Sequence, residues 1–401
     1  MAAALALACG AGLGLPSARA LEPVTIDLGV DMMERDHFAL FQGKRVGLIT
    51  NQTGVDSSGR TTREAFKAAP GVKLAKLFSP EHGIDGTVPA GQYVRSRKDR
   101  VTGLPVYSLY DATRKPSSSM LDGLDMLVFD MQDIGCRSYT YISTMVLCME
   151  AAGDKGIPFV VLDRPNPLGG ERVEGPMVEP RWVSFVSQVP VPYVHGLTVA
   201  ELARMVNDLG WNKHKCRLIV VPMRGWERGM TWNDTGLRWV QTSPNIPYAT
   251  SPAYYVVTGL AGSLSGLNIG IGTREPFQRF ACAGVDGASM AARFRGLEIP
   301  GLVATPYADP LGSWEGVSLK IDPHARTNLC AMALYFLATG ERRAHIFDRS
   351  TPSQLNLFYK IYGSATIRGK LANGASVGSI VNAWEPAVAA FREKRAPYLL
   401  Y

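Results

Sequence analysis

The stretch Val72–Gly83, VKLAKLFSPEHG, decides how the chain is read. Its first half is apolar but for two lysines and has the length of a strand. Where that strand should end, Pro80 and Gly83 enclose a glutamate and a histidine, Glu81 and His82. Proline and glycine mark a turn there, so the charged pair is presented at a strand end. The same order recurs along the chain. RVGLIT (Arg45–Thr50) runs into NQTG, DMLVFD (Asp125–Asp130) into MQDIG, and PFVVLD (Pro158–Asp163) into RPNPLGG; CRLIVVPM (Cys216–Met223) is a fifth run of this kind.

Helical patterns lie between the runs. TTREAFKAA (61–69) is one, and TYISTMVLCMEAAGDKG (140–156) is longer, with Gly156 as its stop. LTVAELARMVNDLG (197–210) is the clearest: Thr198 and Glu201 form a capping box, and Gly210 ends it. Short apolar strands alternating with helices imply βαβ units. The expected fold is α/β, a Rossmann-like, mostly parallel sheet domain over residues 24–240. After it the pattern changes. TSPNIPYATSP (242–252) is a proline-rich connector, and LAGSLSGLNIGIG (260–272) is a glycine-rich loop placed over or beside a site. WEGVSLKI (314–321) reads as a strand, and two helices follow, RTNLCAMALYFLATG (326–340) and a second (376–399) expected to break or kink at Pro386. A smaller α+β domain over 245–401 is the reading.

Composition sets the frame. The 401 residues are 46% hydrophobic and 19% charged, enough for a large core and two domains. Residues 1–20, MAAALALACGAGLGLPSARA, end in small residues at the last and third-last positions and read as a cleaved signal peptide. That implies an exported protein, periplasmic or extracellular. Cys9 hints at a lipoprotein site, but the residues before it fit poorly. Five further cysteines, an odd number at wide spacing, read as buried free thiols, and no Cys/His pair has zinc spacing. The net charge of +7 suits an anionic surface such as a cell wall. Its one dense run, RSRKDR (95–100), reads as a solvated loop and not as a nucleic-acid patch. No segment after residue 20 is apolar enough to span a membrane.

In a parallel α/β sheet, ligands bind beyond the carboxyl ends of the strands. Four ends carry polar clusters: Asn51, Gln52 and Thr53; Glu81 and His82; Asp130, Gln132 and Asp133; Asp163, Arg164 and Asn166. If the strands are parallel, all four share one edge. Each cluster alone also reads as a turn or a cap, and Asp130 and Asp133 would suit a cap for the helix near Ser138. Glu174, between Val173 and Gly175-Pro176, has an apolar, tightly turned setting of the kind that raises a carboxyl pKa toward general-acid use. His195, just before the helix capped by Thr198, either faces the cleft or is a hydrogen-bonded structural histidine. There is no G-x-S-x-G elbow, Walker A loop or H-E-x-x-H, and GIGTRE is not a dinucleotide fingerprint. No NAD, ATP, metal or other cofactor is expected. Carboxylates, amides, arginine and aromatics such as Tyr139 and Tyr141 suit a carbohydrate and acid/base hydrolysis.

GLITNQTG, LFSPEHGIDG, DMQDIGCRSYTYISTM, VLDRPNPLGG, VEGPMV, HGLTVAELA and SPNIP, in this order, resemble the bacterial exo-β-N-acetylmuramidase family NamZ, formerly a domain of unknown function. The resemblance runs from about residue 44 to the C-terminus and is densest to about 250. It implies a glycosidase that releases N-acetylmuramic acid from the non-reducing end of peptidoglycan fragments, with a site between a Rossmann-like domain and a smaller C-terminal one. It also implies a pair of catalytic glutamates, best matched by Glu81 and then Glu174, with His82 orienting. On that reading Asp130, Gln132 and Asp133 hold sugar hydroxyls. Arg164 or Arg137 pairs with the lactyl carboxylate, and Asn51, Gln52, Tyr139, Asn166 and His195 complete the substrate contacts. The chain departs from the family in two places. The glycine-rich loop has Ser263, Ile269 and Ile271 where charged residues are typical, and SFVS has Ser187 where the family has glycine. These changes keep a second reading open, a muropeptide- or wall-binding relative without turnover. A third is a metal-dependent hydrolase using Asp130, Asp133, His82 and Glu81.

Overall fold

The computed structural model describes residues 25–310 and 312–401, so the expected signal peptide and Cys9 lie outside the described residues. A seven-stranded sheet is built from β1 (Arg45–Thr50), β2 (Lys73–Ser79), β3 (Arg97–Lys98), β4 (Pro105–Ser108), β5 (Met126–Asp130), β6 (Phe159–Leu162) and β7 (Leu218–Val221). Across the sheet they run in the order β3-β4-β2-β1-β5-β6-β7, and every neighbouring pair is parallel except β3 with β4. The five expected runs are all strands. Strand order reverses between β1 and β5, where Thr50 lies opposite Asp130. That is the topological switch point of an open α/β sheet.

The short strands β3 and β4 are additions to the sequence reading. Arg97–Lys98 belongs to the run expected as a loop; it is instead an exposed, charged edge strand antiparallel to β4. Charged residues on an edge discourage pairing with another chain.

The central strands β1, β5 and β6 are buried on both faces, to which alternate residues point, while β2, β4 and β7 are partly exposed. Val46, Leu48, Val128 and Val160 meet Leu28, Met33, Phe41, Phe66 and Trp226 on one face. Ile49, Phe129 and Val161 face the other way, into a larger core shared with the rest of the chain. This core takes in the long helix Tyr141–Lys155, closed by Gly156 in the left-handed conformation. It continues into a second sheet, antiparallel, ordered β10-β11-β9-β8 from β8 (Leu267–Asn268), β9 (Arg279–Cys282), β10 (Leu302–Ala308) and β11 (Glu315–Ile321). Phe280, Val317 and the helix Leu329–Ala344 belong to it as well. The five cysteines from Cys136 onward are free and buried. The break expected at Pro386 does not occur: one helix runs Val377–Arg395 with the proline inside it.

Arg137 ties the two parts together. Its side chain is fully buried and has no carboxylate partner among the described residues. Nε donates to Ser187 Oγ at 3.2 Å, and Nη1 to the carbonyls of Pro176 at 2.6 Å and Val191 at 2.7 Å. Nη2 donates to the carbonyls of Ile361 at 3.2 Å and Tyr362 at 2.8 Å. A guanidinium has five donor hydrogens, and here each has an acceptor. Gly363, at φ +95°, lets the backbone come close, since a Cβ there would stand 2.7 Å from Nη2. Ser187 supplies the one side-chain acceptor. Arg137 is therefore not free to bind a substrate carboxylate. Replacing Arg137 with methionine would leave several buried carbonyls unpaired, and a loss of about 3–5 kcal/mol is expected in urea unfolding. A loss below about 1 kcal/mol would contradict this role.

Candidate active site

The carboxyl ends of β1, β2, β5 and β6 do share one edge, and three of the four polar clusters bond mainly to one another. Asp130 is fully buried and paired with Arg164, Nε to Oδ1 at 2.5 Å and Nη2 to Oδ2 at 2.8 Å. Thr62 also donates to Asp130, and Arg164 Nη2 reaches the Val55 carbonyl at 2.8 Å. Arg164 therefore has an internal carboxylate and is not the expected lactyl-binding arginine. Asn51 accepts from the Thr53 N–H and hydroxyl, and Thr53 Oγ1 in turn accepts from the Gln132 N–H at 2.9 Å. The Gln132 amide spans the carbonyls of Asp133 and Pro165, both at 2.8 Å. Asn166 donates to the Leu197 carbonyl and accepts from Leu168 N–H. Gln52 donates to the carbonyls of Gln241 and Thr242 and so anchors the proline-rich connector.

Asp133 turns back on its own loop, accepting from Gly135 N–H at 2.7 Å, and so does not cap the following helix. That helix begins at Tyr141 with Thr140 before it. Burial raises the Asp133 pKa to about 7, against which two local backbone N–H groups act only partly. His195 accepts from Leu197 N–H through Nδ1, and burial, then the nearby Arg395 and Arg137, push its pKa down to about 3. It is a neutral structural histidine.

Glu81 is different. The SPEHG segment is a tight turn, closed by Gly83 N–H to the Pro80 carbonyl, with His82 at φ +69°. A positive φ is uncommon outside glycine, though histidine is among the residues enriched there. This turn aims both side chains into a cavity of about 350 Å³. Its lining comes from the sheet edge (Glu81, His82, Tyr110, Ser138, Tyr139, Thr140), from the connector (Ser243, Asn245, Ile246) and from later elements (Tyr255, Phe277, Leu357, Ile361). Glu81 is the only carboxylate among the lining residues. Oε1 accepts from Gly91 N–H at 2.9 Å and Oε2 from the Thr140 hydroxyl at 2.6 Å. Thr140 heads the helix Tyr141–Lys155, whose N-terminal dipole favours negative charge nearby. The Tyr110 phenol lies beside Glu81: burial first, and then the Glu81 charge, raises its pKa, so the phenol stays protonated. His82 Nδ1 donates to the Val88 carbonyl at 2.7 Å, which leaves Nε2 as the acceptor in the neutral ring. Tyr139 lines the cavity while its hydroxyl donates to Thr242 Oγ1 at 2.8 Å.

Glu174 lies elsewhere. It lines a second cavity, of about 400 Å³, with Arg172, Arg228, Arg326 and Arg392. Oε1 pairs with Arg172 Nη1 at 2.6 Å, and Oε2 accepts from the Leu329 N–H at 2.7 Å, at the start of the helix Leu329–Ala344. Burial raises its pKa in spite of Arg172, so the setting inferred from VEGP is present, but the carboxylate serves a helix end. Among the described residues, the clusters with metal-ligand spacing are Glu150, Asp154 and His214, and Glu341, His345 and Asp348. Neither includes the residues of the metal-hydrolase reading, and Lys115 bonds Glu150 and Asp154 in the first.

Sequence reasoning missed Tyr110, Ser138, Thr140 and Tyr255. Ser138 and Thr140 flank Tyr139 in a motif already quoted. Tyr110 follows β4, a strand too short to be seen in the sequence.

Comparison with known proteins gives this geometry a family. Residues 46–250 match the family described as exo-beta-N-acetylmuramidase NamZ, N-terminal, and residues 253–401 match its C-terminal counterpart. The chain belongs to the NamZ family. It is 38% identical over 387 residues to the peptidoglycan beta-N-acetylmuramidase NamZ of Bacillus subtilis (strain 168), covering 94% of this chain and 91% of that one. Two crystal structures of DUF1343 family proteins from Bacteroides fragilis NCTC 9343 share the fold. One has a TM-score of 0.88 at 40% identity, the other 0.74 at 25%; each match covers 94% of this chain and 99% of the other. Membership places the chain among glycoside hydrolases.

The Asp133 shift gives a pH signature. With a folded pKa of about 7 against 3.8 for the ordinary group, the folded chain holds a proton that the unfolded chain releases in that interval. Its contribution to stability is present at low pH and is lost as pH rises toward about 7. Asp133→Asn keeps the site neutral, so its stability relative to wild type should rise between pH ~4 and pH ~7.5 in urea unfolding. A difference that stays constant with pH would contradict the assignment.

Proposed function

We propose that this protein is an exo-acting glycoside hydrolase that releases N-acetylmuramic acid from the non-reducing end of peptidoglycan fragments. In this reading Glu81 is the catalytic carboxylate of the cavity between the sheet edge and the C-terminal helices. The observation that carries it is the solitary position of Glu81, the one carboxylate in a cavity otherwise lined by the His82 imidazole, hydroxyls, amides and apolar groups. Such a space, mostly apolar with a few fixed polar groups, suits a sugar ring. The named activity of the Bacillus subtilis relative supports the same substrate class.

Glu81 handles proton transfer at the glycosidic bond, the step for which a positioned carboxyl group is worth about 10²–10⁴-fold. Gly91 N–H and Thr140 hold it at two points, which fixes the direction of its lone pairs. Glu174 is engaged in its ion pair and helix end, so it is not the partner carboxylate. The acetamido oxygen of the substrate itself can take the place of a second carboxylate as nucleophile, as in substrate-assisted glycosidases. The His82, Tyr110 and Tyr255 side chains line the same space and are the protein groups available to position that oxygen or a water.

A chromogenic β-N-acetylmuraminide separates these roles. Wild type should release the chromophore. Glu81→Gln should lose about 10²- to 10⁴-fold in kcat. Glu174→Gln should keep kcat within about threefold while lowering stability by about 1–3 kcal/mol. Release that survives Glu81→Gln unchanged would defeat the assignment, and absence of release by wild type with sugar binding retained would leave a binding protein.

A further inference from the structure

The two arginines expected to meet the lactyl carboxylate are both engaged inside the protein, Arg137 by five acceptors and Arg164 by Asp130. A muramic acid site still needs a cation, because the lactyl ether carries the negative charge that distinguishes this sugar from N-acetylglucosamine. One stacks on Tyr110, which lines the Glu81 cavity. Arg114 is half-buried, and its guanidinium lies over the Tyr110 ring, 3.8 Å from the centroid, and 5.4 Å from that of Phe185. Tyr110 lines the cavity beside Glu81, and so does Val186, next to Phe185. Nη1 donates to the Asp111 carbonyl at 2.8 Å. Beyond the Asp111 carbonyl and the aromatic side chains beneath it, Tyr110 and Phe185, Arg114 has no partner among the described residues, and no carboxylate pairs with it.

We propose that Arg114 is the specificity-determining residue of this site, with its guanidinium taking the lactyl carboxylate of a muramic acid residue whose glycosidic bond lies at Glu81. The proposal rests on the muramic acid reading given above. Stacking on two aromatic rings holds the planar fork in one orientation, which lowers the cost of forming a bidentate contact with a carboxylate. Arg114 does not touch the reacting atoms, so its effect should fall on recognition and not on the chemical step.

Titration calorimetry with free N-acetylmuramic acid and with N-acetylglucosamine tests this without requiring turnover. Wild type should prefer N-acetylmuramic acid. Arg114→Ala should weaken that sugar by about 10- to 100-fold, the range of a charge-assisted contact, and leave N-acetylglucosamine within about twofold. Arg114→Lys should restore part of the preference, since a point charge replaces a fork. Unchanged binding of N-acetylmuramic acid would overturn the proposal. So would equal weakening of both sugars, which would mean that Arg114 acts only by supporting Tyr110, or a wild type with no preference between them. Arg114-dependent binding together with no hydrolysis of the chromogenic muraminide would uphold the specificity role while removing the catalytic reading.

Discussion

Asp130 and Arg164 form an ion pair sealed from solvent at the point where the strand order reverses, and the arrangement of the whole edge depends on it. Each charge removed from water costs several kcal/mol unless it is paired and its remaining hydrogen-bonding capacity is filled. Here the pair is bidentate, and Thr62 and the Val55 carbonyl complete it. The pair binds the end of β5 to the loop after β6, and the neighbouring Thr53–Gln132–Pro165 bonds add the loop after β1. The switch-point crevice, where ligands of open α/β sheets commonly sit, is thus filled by the protein's own polar groups. The binding space is displaced toward β2, whose end carries Glu81.

That displacement explains why the cavity has walls of two kinds. One wall is the polar turn after β2 with the N-terminal end of the helix Tyr141–Lys155. The other is apolar and arrives from far along the chain, through Phe277 and through Leu357 and Ile361 of the helix Pro352–Tyr362. Arg137 governs the second wall although it binds nothing in the cavity. By holding the carbonyls of Ile361 and Tyr362 against those of Pro176 and Val191, it positions the end of that helix opposite the sheet edge. The cationic neighbour left for a ligand is then Arg114, on the loop after β4.

Much of this was legible in the sequence where one physical rule dominated. A strand inside a parallel sheet carries a largely apolar run, so β1, β2, β5, β6 and β7 stood out, and parallel pairing then placed their polar ends on one edge. β3 and β4 did not stand out, because two exposed basic residues and a four-residue strand beginning with proline carry no burial pattern; Tyr110 and Arg114 were lost with them. Direction was also hidden. VEGP correctly suggested a buried carboxylate with a raised pKa, but nothing local says that Glu174 meets a helix end more than 150 residues away. The five acceptors of Arg137 come from four separate segments, and only the folded chain brings them together. His195 sat between two readings in the sequence, and its bond to Leu197 N–H, with the pressure of burial, makes it structural.

The central claim is that a muramic acid unit sits in the Glu81 cavity with its glycosidic bond against that carboxylate. A crystal structure of the Glu81→Gln variant with a disaccharide bearing N-acetylmuramic acid at its non-reducing end tests this most directly. The account predicts the sugar in this cavity, with its glycosidic oxygen within about 3 Å of the residue 81 amide, the reach required of an acid/base group. A sugar bound instead in the arginine-lined cavity at Glu174, or one whose glycosidic oxygen lies beyond hydrogen-bonding reach of residue 81, would contradict it.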